Sequence, residues 1–446
     1  MRGAHGSVVI VMTLLEHDDA ARSTQPPPPE PVVEGSGRRV LQLLVGVGLI
    51  TAVFVLLGWG DLLLFIAILI AIVMLHELGH FATAKWAGMK VTEYFVGFGP
   101  RLWSVRKGET EYGVKAIPAG GYVRITGFTA LEEVPEEDEP RAYRQQPFHK
   151  RIIVASAGSA MHVLIALVLA VILVVSFGKL TNNYAVTSVE HWPGVARTPA
   201  ALAGLRPGDT IVSVDGKTFA NENSMTDVIR RSTGKQLELG VERDGRLIHV
   251  KATPESGKGI KVDGQALGDG GHLGIGIRQA TASVGLLAAI GDSFNTVWQA
   301  TDETFVGIGH TFSATGLSSV YHQVTNPKAA QQAADHPVSA DRPSSIIGIT
   351  NLGAQSLQAG MASVLLLLIA VNLAFALLNM FPMIPLDGGH VAIAAYEWIR
   401  TRRGQPYYRA DITKLFPVAA VFIGFLAMFV FASMYLDITH PIQLPH

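Results

Sequence analysis

Three residues in one short run have the types and spacing for metal chemistry. In IAIVMLHELGHFATAKWAG, residues 70–88, a long apolar stretch ends in His76, Glu77 and His80. On a helix, residues four apart share a face, with Cβ atoms about 5–6 Å apart. Two imidazoles so placed can reach one zinc ion, at about 2.0–2.1 Å each. Glu77, beside the first of them, can then take a proton from a metal-activated water. Ionisable groups are costly in an apolar helix, which makes such a cluster a functional-site candidate by default. The bland alternative is a pair of histidines hydrogen-bonded inside a helix bundle.

A hydrolytic zinc needs a third protein ligand and an open position for water. The best candidate lies in NMFPMIPLDGGH, residues 379–390. There Asp387 follows an apolar run interrupted by Pro382 and Pro385 and precedes Gly388 and Gly389. The prolines break the helix and the glycines are expected to relax it further. Broken backbone at membrane depth is tolerated where it lines a water-containing cavity or is buried in protein. His390 is the rival ligand, and Asn379 is a candidate hydrogen-bond donor to a substrate carbonyl.

The elements that must carry these residues are membrane spans. The chain has 446 residues, 49% hydrophobic and 16% charged, too apolar for an ordinary soluble protein. Its net charge of −1 gives no electrostatic footprint for nucleic acid. It has no cysteine, which excludes disulfides and thiolate ligands. Apolar runs at 40–57, 62–75 (which leads on into the motif), 152–177, 364–381 and 416–436 predict about five spans for a bilayer that demands ~20 apolar residues of helix. The first, within an extra leading segment 38–60, resembles a signal peptide less than a retained span, because no small-residue cleavage site follows. Lysines and arginines crowd 85–151 and 400–414, so both segments are expected on the cytoplasmic side. That puts the N-terminus in the cytoplasm, 178–360 outside, and the whole chain in the plasma membrane.

Between the spans the patterns change. Residues 1–37 contain TQPPPPEPVVEGSG and read as a disordered proline-rich cytoplasmic tail. Residues 91–127 alternate apolar and polar with glycine turns, which predicts short strands and hairpins at the membrane. The acidic run at 132–140 reads as a solvated loop. Residues 182–255 alternate in the same way around one helical pattern, a small α/β or mostly-β module. Leu287, Ile290, Phe294, Val297, Trp298, Phe305 and Ile308 fall at near-helical spacing. They predict an amphipathic helix, on the membrane surface or on the preceding module. Residues 323–343 read as a linker.

With both motifs on the page, the chain resembles the site-2 proteases, intramembrane zinc metalloproteases, and most of all the actinobacterial members of the bacterial branch that cleaves anti-sigma factors. The likeness rests on His76-Glu77-Leu78-Gly79-His80 in one span and on Asn379, Pro382 and Leu386-Asp387-Gly388 in another. It extends to YFVGFGPRLWS, GETEYGVKAIPAGGYVRITG and RAYRQQPFHKR, and so from about residue 62 to the C-terminus. It implies zinc on His76, His80 and Asp387, with Glu77 as general base and Asn379 positioning the substrate. Gly120-Gly121-Tyr122, with Pro382, would handle an unwound substrate. AALAGLRPGDTIVSVDG, residues 200–216, looks like a PDZ core, which places one extracytoplasmic PDZ (α/β) domain at 178–280. The implied architecture is an α-helical polytopic membrane protein. Its catalytic core comprises 61–177, with a cytoplasmic membrane-associated β-hairpin region, and 361–446; an amphipathic helix and linker fill 281–360. Implied partners are membrane lipid, single-span substrates such as anti-sigma factors, and an upstream extracytoplasmic protease.

One stretch departs from the family pattern. Where Gly-Pro followed by Asn is usual, this chain has Gly158-Ser159-Ala160-Met161-His162. Two other functions compete: a catalytically silent PDZ-bearing membrane scaffold, and a HExxH membrane peptidase of another class that acts on soluble peptides. The intact Glu77, His76, His80 and Asp387 argue against the first, and the setting of Asp387 against the second.

Overall fold

The structure, a computed structural model, describes residues 37–129, 132–219, 222–262, 265–335, 342–401 and 408–442. The tail expected at 1–37 lies almost wholly outside them. The described residues form two compact units, 37–161 with 379–424, and 162–378 with 425–442.

The first unit opens with helices α1 (Gly37–Leu56) and α2 (Gly60–Trp86). Strands β1 (Val91–Lys107) and β2 (Thr110–Ile125) follow, and helix α3 (Phe148–Phe177) begins in this unit. In place of short hairpins, β1 and β2 are single long strands that pair twice. Tyr94, Phe95 and Val96 sit opposite Val123, Tyr122 and Gly121, and also opposite Tyr112, Gly113 and Val114. Residues 121–125 therefore form an edge, with β1 on one side only.

That edge lies against α2. A Cβ on Gly121 would stand 2.2 Å from the Met74 sulfur, so glycine permits the approach. The Tyr94 hydroxyl donates to the Met74 carbonyl at 2.7 Å. Burial, and then the Glu77 charge, push the Tyr94 phenol up to about 12, so it remains a donor at neutral pH. The acidic segment at 132–140 is not a freely solvated loop: Asp138 pairs with Lys90, Glu139 with Arg144, and Glu132 accepts the Gly127 N–H.

The second unit contains a five-stranded sheet. Its strands are β3 (Lys179–Val189), β4 (Thr210–Val214), β5 (Leu237–Arg243), β6 (Arg246–Ala252) and β7 (Ile275–Ala282), in the order β7-β3-β4-β5-β6. Helices α4 (Pro199–Ala203) and α5 (Glu222–Arg231) accompany it. Tyr184, Val186, Ile211, Met225, Leu239 and Val241 make its core. Alternation alone marked 182–255, but the sheet is closed by β7, in which Ala282 pairs with Lys179, so chain entry and exit lie together.

Helix α6 (Leu286–Thr311) follows. It is amphipathic, and Val297 and Ala300 pack with Ala166 and Ala170 of α3 and with Ile369 and Leu373. Its partners thus include apolar helices, and Asp292 also pairs with Lys179 of β3 at 2.5 Å, so it touches the preceding module as well. Within the linker expected at 323–343 the described residues to 335 are largely helical, at the end of α7 (Ala314–Thr325) and in α8 (Pro327–Asp335), and α9 (Ile346–Ala359) follows. Helices α10 (Met361–Asn379), α11 (Asp387–Arg400) and α12 (Phe416–Thr439) complete the chain.

Among the described residues, four helical segments are long and apolar enough to cross a membrane: 60–86, 148–177, 361–379 and 412–439. Helix α1 holds a shorter apolar stretch, Leu44–Leu56. Helix α2 meets α3 at small residues, the arrangement that lets backbones approach closely in lipid. A Cβ on Gly79 would lie 2.7 Å from the Ala157 carbonyl oxygen. Gly79→Val is therefore expected to cost about 1–3 kcal/mol by overpacking. Thermal unfolding in detergent checks this, and an unchanged midpoint would contradict the contact.

Candidate metal centre

Helix α2 buries Ile72, His76, Gly79, His80 and Ala84 on one stripe, so the helical period that packs the span also turns both histidines inward. Helix α10 ends at Asn379, residues 380–386 form an irregular loop, and Asp387 starts α11. Asp387 thus opens a helix rather than closing a span. The two glycines after it do not loosen the backbone. Both are helical and buried, and a Cβ on Gly388 would stand 2.2 Å from the Met380 carbonyl, one on Gly389 2.7 Å from the Ile384 nitrogen. They let the loop fold back tightly, which sets the position of Asp387.

Three donor atoms converge here. His76 Nε2 and His80 Nε2 are 3.2 Å apart, and Asp387 Oδ2 is 3.4 Å from the first and 3.2 Å from the second. Among the described residues this is the one group of three or more His, Asp or Glu side chains arranged to hold a metal ion. The tautomer of His80 follows from its other nitrogen. Nδ1 lies 2.7 Å from the Val154 carbonyl, which only accepts, so the proton sits on Nδ1 and Nε2 offers a lone pair. Lone pairs and a carboxylate turned toward one point repel unless a cation lies between them. Tetrahedral zinc with ligands at about 2.0–2.1 Å separates its donors by about 3.3 Å, the spacing found here. The nitrogen and oxygen donor set suits zinc as well.

The wall opposite the ligands is Gly158 of α3. A Cβ there would lie 2.3 Å from His76 Cε1 and 2.4 Å from His80 Nε2. In the sequence this glycine is only the start of an unusual stretch, and its contact is visible only in three dimensions. Of the residues after it, His162 bonds Asn372 through Nδ1 at 2.9 Å and is buried with it, the satisfied bundle histidine rather than a ligand.

The remaining candidates divide. Glu77 is turned to the sheet, where Val123 N–H of the edge strand donates to its Oε2 at 3.0 Å. Gly120 adopts φ 132°, and Gly121 brings the strand onto α2, so the glycine pair is what allows that bond. Tyr122 is stacked between Phe95 and Phe98 and donates to Glu93. Asn379 is half-buried at the head of the loop, its amide without a partner among the described residues. Pro382 lines a cavity of about 490 Å³ behind α11, with Met383, Gly389 and Tyr396. His390 is not among the three converging donors: its ring lies against Phe128 at 4.1 Å and edge-on to Tyr143 at 6.3 Å.

Two outcomes follow for the purified chain. Gly158→Ala should push both imidazoles apart and weaken metal binding about tenfold or more, in the range for residues that orient ligands, with helix content kept. Asp387→Ala should strip the metal, whereas His390→Ala should retain it. Metal analysis beside circular dichroism checks both, and metal loss from the His390 variant alone would point to a three-histidine site.

The profile of peptidase family M50 matches residues 64–424. The chain is 33% identical over 410 residues to the zinc metalloprotease Rip1 of Mycobacterium tuberculosis, covering 86% of this chain and 98% of the relative. It is 30% identical over 417 residues to Rip1 of Mycolicibacterium smegmatis, covering 87% and 99%. The metalloprotease MmpA of Caulobacter vibrioides is 27% identical over 377 residues, covering 75% and 86%. The helix carrying His76 and His80, the loop before Asp387 and the glycine wall all fall inside the matched span, and the chain belongs to peptidase family M50, the site-2 proteases.

Proposed function

We propose that this chain is an intramembrane zinc endopeptidase that cleaves the transmembrane segments of single-span membrane proteins, anti-sigma factors among them, after another protease has cut the same substrate outside the membrane. Membership of M50 makes it a zinc metalloprotease. The observation that carries the finer reading is the position of the ligand set. His76 and His80 lie in a helix apolar enough to span a bilayer, with Glu77 between them. A peptidase of soluble peptides has no need to bury its centre there.

His76, His80 and Asp387 hold the zinc, which supplies Lewis acidity toward the peptide carbonyl and toward water. Glu77 takes the proton of the attacking water and returns it to the departing amide nitrogen. The Val123 N–H fixes the carboxylate in place meanwhile. Asn379 donates its free amide to a substrate carbonyl near the centre. A helical substrate hides its peptide bonds, so it must be extended before attack. The edge at 121–125, whose Val123 N–H already points away from β1 to Glu77, is suited to hold an extended strand beside the base.

The arrangement in the membrane extends the same proposal. Helix α1 is a fifth span, the N-terminus is cytoplasmic, and the module at 178–280 is an extracytoplasmic PDZ domain that admits trimmed substrates. The basic residues of 85–151 support this orientation. Gly204 at φ 77° and Asp209 paired with Arg243 at 2.6 Å order the loop of the PDZ-like core, which supports the reading of the module itself.

Glu77→Gln tests the role of the base. It should keep zinc and lower cleavage of a reconstituted transmembrane substrate by about 10²–10⁴-fold. Loss of zinc would show that Glu77 serves the metal instead. For orientation, the cysteine-free background is clean. Cysteine at Arg231, whose side chain is 84% exposed, should react with an impermeant thiol reagent in intact cells, and cysteine at the exposed Glu136 should not. The reverse pattern would overturn the topology.

A further inference from the structure

A second buried polar contact lies in the first unit, away from the ligands. Arg151, near the start of α3, donates from Nη1 to Glu397 Oε2, near the end of α11, at 2.5 Å. Their side chains are only 5% and 4% exposed. The other Glu397 oxygen accepts the Ala410 N–H at 2.8 Å, so the carboxylate is satisfied on both sides. The Arg151 guanidinium lies over the Tyr143 ring at 5.2 Å, and the Tyr143 hydroxyl donates to the Arg151 carbonyl. Tyr143 meets Phe128 at 4.7 Å, and Phe128 meets both His390 and His80.

The pair shares its helix faces with the metal centre. On α3, Arg151, Val154 and Gly158 follow at intervals of three and four; Val154 orients His80 and Gly158 walls the ligands. On α11, Asp387, His390, Ala394 and Glu397 make a stripe with the same intervals. A buried charge is tolerated only when paired. A shift of α11 by one residue, about 1.5 Å and 100°, would separate Arg151 from Glu397 and turn Asp387 away from the histidines together.

We propose that the Arg151–Glu397 pair is a positioning device for the zinc centre: it fixes the register of α11 against α3 and so aims the Asp387 carboxylate at His76 and His80. This rests on the reading of Asp387 as a zinc ligand. Neither residue is one of the three converging donors.

The second unit supplies a control. Arg342 and Asp437 form another buried pair, at 3.4 Å with side chains each 1% exposed. The full-length protein is purified in detergent, and zinc release to a chromogenic chelator is timed beside thermal unfolding. Glu397→Gln keeps the shape and the Ala410 contact and loses the charge. It should release zinc about tenfold faster or more, as for other changes that free a metal ligand. Asp437→Asn should lower the unfolding temperature yet release zinc within about twofold of the unaltered chain. Should Glu397→Gln not fold, Arg151→Lys carries the test and should also release zinc faster. Equal release from the Glu397 and Asp437 variants, or normal retention in both the Glu397 and Arg151 variants, overturns the proposal. Asp387→Ala is run in parallel: if it keeps its zinc, the ligand assignment itself has failed.

Discussion

Two imidazole nitrogens and a carboxylate oxygen meet at one point, although 307 positions separate His80 from Asp387. In an apolar surrounding that convergence is unfavourable without a cation and favourable with one. Much of the first unit can be read as the means of holding it. Gly79 lets α2 lie against α3, Gly158 leaves room for the imidazole rings, and Gly388 and Gly389 let the loop close over the start of α11. Each of these glycines sits where a single methyl would strike backbone or ligand. The centre is framed by missing side chains as much as by those present.

The sheet answers a different constraint. A base next to a metal must be held without being neutralised by a cation. Here the holder is a backbone amide, Val123 N–H. A backbone donor cannot swing away, and it belongs to a strand segment that pairs with β1 on one side only. The same strand thus connects the catalytic carboxylate with the surface best shaped for an extended peptide. Tyr94 ties this strand pair to α2 at Met74, two residues before His76.

What was legible in the sequence follows from the range of the interactions. His76, Glu77 and His80 were readable because four residues make one helical turn, a local fact. Asp387 was readable as a candidate because a carboxylate in so apolar a context needs a reason. Its geometry was not, since the glycines after it looked like flexibility and are in fact close packing within a helix. The choice between Asp387 and His390 turned on Phe128 and Tyr143, which come from a segment more than 200 positions earlier. Alternation showed that 91–127 was β-structure but could not reveal that β1 pairs twice with β2, because pairing depends on register. The helices α7 and α8 were hidden by polar composition in a stretch that reads as linker.

The central claim is that two imidazoles and one carboxylate of this chain hold a single zinc at membrane depth. X-ray absorption spectroscopy at the zinc edge of the purified protein tests it most directly. The account predicts two imidazole nitrogens at about 2.0–2.1 Å with the remaining positions filled by oxygen, and the loss of the bound zinc, and with it the edge, in Asp387→Ala. A spectrum that requires three imidazoles, or one unchanged by removal of Asp387, would contradict it.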